Sequence, residues 1–130
     1  MKQYICLGVL MLCSLFLTAQ SADEFYESGI VRMNEEDYRS AIEEFSRAIE
    51  LDSLYIEAWT ARGDAWEEIG ANSEAHEDWM EGYYLMGNQR FVAGQNNDAC
   101  NYWYMAAKMG HPEANEKQKQ YCSKGKWKIK

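Results

Sequence analysis

Proline occurs once in these 130 residues and histidine twice, and no CxxC, CxxCH or glycine-rich phosphate loop is present. Each scarcity removes a class. One proline among nine glycines excludes collagen-like and proline-rich chains. His76 has no second histidine at helical spacing, and its "HEDW" is not the HExxH of a zinc protease. His111 precedes Pro112 and reads as a helix-start residue. The doublets Glu35-Glu36, Glu43-Glu44 and Glu67-Glu68 sit on helix-patterned stretches. Sequence neighbours on a helix point about 100° apart, so none is an acid/base pair and all read as solvated faces. No catalytic residue, cofactor or metal site is therefore expected. Basic residues are also scarce: 13 Lys and Arg against 21 Asp and Glu leave a net charge of -8. Phosphate binding needs a basic surface, so nucleic acid is excluded as a partner of the body.

A long hydrophobic run is missing too. The apolar stretch from Ile5 to Leu17 falls short of the roughly 20 residues that span a bilayer. With Lys2 before it and Thr18, Ala19, Gln20, Ser21 and Ala22 after it, it has the pattern of a secretory signal. Cleavage is expected after Ala19, with Ala22 as second choice. Leu12 is too bulky to precede a lipid-modified Cys13. The expected division is a signal peptide over 1–19, a domain over 20–122 and a basic tail over 123–130. The expected location is the periplasm or the outside of the cell, with no stable membrane anchor after cleavage. Loss of 1–19 would remove Cys6 and Cys13 and leave Cys100 and Cys122 in an oxidising compartment where they can bridge.

What is abundant is self-similarity. Shifting the chain by 34 residues sets Phe25 on Trp59, Gly29 on Gly63, Ala41 on Ala75, Phe45 on Trp79 and Leu51 on Leu85. Within the first unit, Phe25, Ile30 and Met33 fall on one helix. Tyr38, Ala41, Ile42, Phe45, Ala48 and Ile49 form the apolar stripe of another. The polar stretch Asn34 to Asp37 marks the turn, as Gly70-Ala71-Asn72-Ser73 does in the second unit. The expectation is a pair of antiparallel helices per unit. Gly29, Gly63, Ala41 and Ala75 allow close backbone approach, and the aromatics fill the space further out. Neither pair buries its apolar face alone, so the units must stack.

These residues resemble the tetratricopeptide repeat (TPR). Residues 22–55 supply Phe25, Gly29, Tyr38, Ala41, Phe45 and Ala48, and residues 56–87 supply Trp59, Gly63, Trp66, Gly70, Ala75 and Trp79. Ser53 stands where the pattern often has proline, and Arg32 where it has an aromatic. A third unit is abbreviated: Gly94, Ala99, Trp103 and Ala106 match, but Ala75 to Ala99 is ten residues short of the repeat. Residues 87–94 serve either as a shortened first helix or as an extension of the helix before. Ala106, Ala107, Gly110 and Ala114 resemble half of a Sel1-like repeat, a TPR relative. The implied fold is an all-α, antiparallel helix-pair solenoid of two full repeats, one shortened repeat and a C-terminal capping helix.

The resemblance also implies a function. In TPR proteins the first helix of each unit lines a concave groove that takes a protein or peptide. The corresponding residues are Asp23, Tyr26, Ile30, Met33 and Asn34, then Glu57, Thr60, Asp64, Glu67 and Glu68. The second set is acidic, and it lacks the Lys and Arg with which family members clamp a terminal carboxylate. Residues 20–98 hold 19 acids against five arginines, a net of -14, while 99–130 hold two acids against seven lysines, a net of +5. A basic or mixed-charge peptide or protein is thus the expected partner. The alternative is a structural solenoid of the envelope that binds small ligands or cations on its acidic face. The tail "KGKWKIK" reads as a solvated end, with anionic lipid or the chain's own acidic face as its other possible contacts.

Cys100 and Cys122 are expected to form a disulfide. With helices over 98–109 and 112–122, they lie at nearly equal distances from the turn at 110–111. An antiparallel hairpin brings such residues level.

Overall fold

The computed structural model describes residues 20–122, which form six α-helices and no strand. They are α1 (Ala22–Asn34), α2 (Tyr38–Leu51), α3 (Ile56–Glu68), α4 (Asn72–Val92), α5 (Asn96–Met109) and α6 (Pro112–Lys117). A π-helical turn, Gln118–Cys122, continues α6. The expected signal peptide (1–19) and tail (123–130) lie outside the described residues.

Local chemistry explains where the helices start. Ser21 caps α1 in a capping box: its Oγ accepts from Glu24 N–H at 3.2 Å, and Glu24 accepts from Ser21 N–H at 3.1 Å. The Asp37 carboxylate accepts from Ser40 N–H and so caps α2. His111 Nδ1 accepts from Ala114 N–H at 3.3 Å, with Pro112 at the first helical position of α6.

The exits share one device. After α1, α3, α4 and α5 an amide bonds back to a carbonyl five residues earlier: Asp37 to Arg32, Ala71 to Trp66, Gln95 to Arg90 and His111 to Ala106. This closure needs a left-handed residue. Glycine provides it at 70, 94 and 110, with φ of 77°, 75° and 111°. The first turn uses Glu36 instead, at φ 60°.

Consecutive helices pack in antiparallel pairs, α1 with α2, α3 with α4 and α4 with α5, and the α2–α3 face joins the first two units. Phe45, Ala41 and Ile42 of α2 meet Ala65 of α3 in one core. Ala48 and Ile49 of α2 meet Ala58 of α3 in a second. The glycines do not simply bring two backbones together, as the sequence suggested. A Cβ on Gly29 would run into the Phe45 ring, and one on Gly63 would lie 2.7 Å from the Trp79 indole. The aromatics sit directly on the glycines rather than further out.

The same arrangement resolves the short third unit. Gly87 lies under the Trp103 indole, again sixteen residues apart in sequence. The third unit therefore starts inside α4, near residue 80. Its first helix is the C-terminal half of the 21-residue α4, whose N-terminal half is the second helix of unit two. Residues 87–94 accordingly extend the preceding helix to Val92 and then turn through Gly94. The ten missing residues are a connection such as 52–55, which this shared helix makes unnecessary, and helix residues that serve both units.

Beyond α5, Ala99, Cys100, Trp103, Ala106, Ala114 and Cys122 form a third core, with Phe91 and Tyr121 packed on it. The Cys100–Cys122 disulfide ties the π-turn to α5, with Cα atoms 5.8 Å apart. The helix expected over 112–122 thus ends its α-helical part at Lys117.

Candidate partner-binding groove

The ten residues singled out on α1 and α3 have three different surroundings. Tyr26, Ile30 and Met33 are half-buried and pack against the core shared by α2 and α3. They form the floor of the joint between the first two units. Asp23, Asn34, Glu57, Asp64, Glu67 and Glu68 are exposed. Thr60 is intermediate: its methyl lies against Gly82 of α4, and its hydroxyl bonds back to the carbonyls of Ile56 and Glu57.

One end of α1 and α3 brings acids and phenols together. Tyr26 and Tyr55 rings lie 5.1 Å apart, and Tyr26 is also 5.7 Å from Phe45. Burial pushes the Tyr55 phenol up to about 12, helped by its hydrogen bond to Asp23 and by the charges of Asp23 and Glu57. Burial, then Glu57, also raises Tyr26. Glu57 thus faces both phenols, although Tyr26 comes from a different helix. Glu68 lies elsewhere, near Tyr38 of α2; burial raises that phenol first, then Glu68 and Glu36. The acidic residues of α3 are therefore spread along the helix and do not converge on one point.

Asp64 has a structural tie. Its Oδ1 accepts the Trp79 indole N–H at 2.9 Å. Asn88 repeats that bond in the third unit, accepting from Trp103 Nε1 at 3.2 Å. By the register that Gly87 and Trp103 define, the groove positions of the third unit fall on Glu81, Tyr84, Asn88, Phe91 and Val92. The sequence reading missed them because it started the shortened first helix no earlier than residue 87 and so had no register for it. The Gly87–Trp103 step was the signal. Some of this face is already covered: His111 stacks on Tyr84 at 4.1 Å and bonds Glu81 at 3.1 Å, and Tyr121 packs 4.7 Å from Phe91.

Beneath the acidic face lies a brace. Arg62 donates to both Asp78 oxygens at 2.7 Å and to Ser46 Oγ at 2.9 Å, while its guanidinium sits 4.9 Å from the Trp59 ring centre. The Ser46 hydroxyl in turn donates a hydrogen bond to Ile42 O. One side chain therefore ties α2, α3 and α4 together. Among the described residues no cluster of three or more His, Cys, Asp or Glu is placed to hold a metal ion.

No protein-family model matches the chain. An uncharacterized protein of Methanocaldococcus jannaschii, MJ0572, is 33% identical over 63 residues, covering 48% of this chain and 73% of that one. The chain belongs to the family of that protein. Among solved structures, the crystal structure of MamA is similar, with a TM-score of 0.49 and 23% identity over 81% of this chain. The match takes in 64% of MamA, a little under two thirds of its length. Both likenesses are to proteins whose names carry no activity.

Proposed function

We propose that this chain is an exported TPR scaffold, with a Sel1-like half-repeat at its C-terminal end. It holds a basic or mixed-charge peptide or protein partner on the face of α1 and α3. The observation that carries the reading is the pairing of exposed carboxylates with half-buried phenols. Glu57 and Asp23 stand beside Tyr26 and Tyr55, and Asp64, Glu67 and Glu68 continue along α3. A partner with lysine or arginine next to an apolar residue finds both chemistries there. Helix-pair stacking supports the scaffold role because it makes an extended surface from rigid elements. Fold alone does not assign an activity, so the claim rests on that surface.

Export is proposed from residues 1–19 and agrees with the Cys100–Cys122 bridge, which suits an oxidising compartment. N-terminal sequencing of the purified protein should begin near Gln20; an intact Met1 on a released protein would remove the export reading.

The groove is tested by reversing Glu57, Asp64, Glu67 and Glu68 to lysine together. Partners captured from an envelope extract by the parent chain should be lost, while far-ultraviolet circular dichroism stays that of the parent. Undiminished capture by the reversed chain would refute the groove.

A further inference from the structure

Because α4 has 21 residues and its partner α3 only 13, the last turns of α4 run on past the start of α3. The overhang and the α2–α3 loop enclose a hollow of about 340 Å³. Leu54 and Ile56 form one wall; Leu85, Asn88, Gln89 and Val92 form the other. Val92 is 87% exposed and Leu54 69% exposed, with exposed Leu51 just before the loop. Apolar side chains gathered at the mouth of a hollow of ligand-site size mark a docking surface.

A segment of the chain itself has the matching chemistry and starts nearby. Residues 123–130 follow Cys122, which is held to Cys100 at the first turns of α5. Tyr121 packs 4.7 Å from Phe91, the residue before Val92. Eight residues reach up to about 26 Å when extended, more than twice the width of a helix. In "SKGKWKIK", Lys124, Lys126, Lys128 and Lys130 alternate with Gly125, Trp127 and Ile129. An extended chain of that pattern turns Trp127 and Ile129 to one side and the lysines to the other. The loop that supplies Leu54 also carries Asp52 and leads into Glu57, both exposed. Burial first, then the bond to Asp23 and the charges of Asp23 and Glu57, raise the Tyr55 phenol, so the region is negative.

We propose that residues 123–130 fold back along the overhang of α4, seating Trp127 between Leu54, Ile56, Leu85 and Val92 with the lysines toward Asp52 and Glu57. The site adjoins the face of α1 and α3 and shares Glu57 with it. It makes the chain's own tail the ligand of a second surface.

Fluorine NMR of the purified, oxidised chain labelled with 5-fluorotryptophan tests this, with Trp127→Phe identifying the resonance. In the parent, the Trp127 signal should show less than half the H2O/D2O isotope shift of a synthetic peptide of residues 124–130. Val92→Asp and Leu54→Asp, each at an exposed position, should both return it to the peptide value. The other four tryptophan signals report whether each variant is folded. A parent signal equal to that of the free peptide would overturn the proposal. So would protection that rises with protein concentration, which would place the tail on a second copy. Protection that appears only with phosphatidylglycerol vesicles would overturn it in favour of a membrane contact.

Discussion

Arg62 meets Asp78 in a two-pronged contact, with Nε and Nη2 each 2.7 Å from a carboxylate oxygen. Asp78 is almost wholly buried and the Arg62 side chain largely so. Either charge so placed is costly to leave alone, whereas replacing the pair together costs much less. Asp78→Leu should therefore destabilise by about 3–5 kcal/mol, and Arg62→Met with Asp78→Leu by clearly less than the two single changes summed. Urea unfolding of the four proteins checks it. Additive losses would mean that the pair does not act as a unit.

Glu36 sits in the left-handed region, where the equivalent turns have Gly70 and Gly94. A residue with a Cβ is strained there by about 1–2 kcal/mol, part of which glycine gives back in backbone entropy. Glu36→Gly should stabilise by about 0.5–1 kcal/mol, and Gly94→Ala should destabilise by about the same amount. Thermal melts of the two variants should move in opposite directions.

The register of the third unit is open to a direct test. A side chain at Gly87 would run into the Trp103 indole, as one at Gly63 would into Trp79. Gly63→Leu and Gly87→Leu should each cost about 1–3 kcal/mol by overpacking. A leucine tolerated at Gly87 but not at Gly63 would show that the third unit is not built like the second.

That register also marks how far the sequence could be read. The 34-residue step set by Phe25, Gly29, Ala41 and Phe45 against Trp59, Gly63, Ala75 and Trp79 is a direct imprint of helix-pair packing, and the first four helices follow it. Gly87 and Trp103 carry the same imprint. They were hidden because one helix serves two units and the chain-wide period slips by ten residues. The Cys100–Cys122 pairing was legible because a hairpin constrains both ends at once. The Arg62–Asp78–Ser46 brace was not, since a polar network across three helices leaves no periodic trace in composition. On the groove, helical spacing shows which residues share a face. It does not show that Tyr26, Ile30 and Met33 sink into the joint while Glu57 and Asp64 stay out.

Reducing the Cys100–Cys122 bridge should loosen the end of the molecule first. The bond closes a loop whose ends are 22 residues apart, worth about 3 kcal/mol in the chain-entropy model. Hydrogen exchange in reductant should speed up in α6 and the π-turn, while α1 to α3 keep their protection. Equal acceleration throughout would mean that the molecule unfolds as one unit and that the bridge supports all of it.

Tyr55 offers a pH test of the acidic cluster. Its phenol is pushed up to about 12 by burial, the bond to Asp23 and the charges of Asp23 and Glu57. A raised pKa means that the folded state favours the protonated form. The associated stability is then complete below the ordinary tyrosine value near 10 and drains away as pH climbs from there to about 12. Tyr26 and Tyr38 shift the same way and add to the trend. Ultraviolet titration should show a late-ionising tyrosine near 12 that is absent in Tyr55→Phe. Asp23→Asn removes the charge, and Asp23→Ala the hydrogen bond as well, so the late step should fall in both variants and further in the second. A late step that ignores Asp23 would leave burial and the Glu57 charge as its causes and would remove Asp23 from the cluster proposed to receive a basic partner.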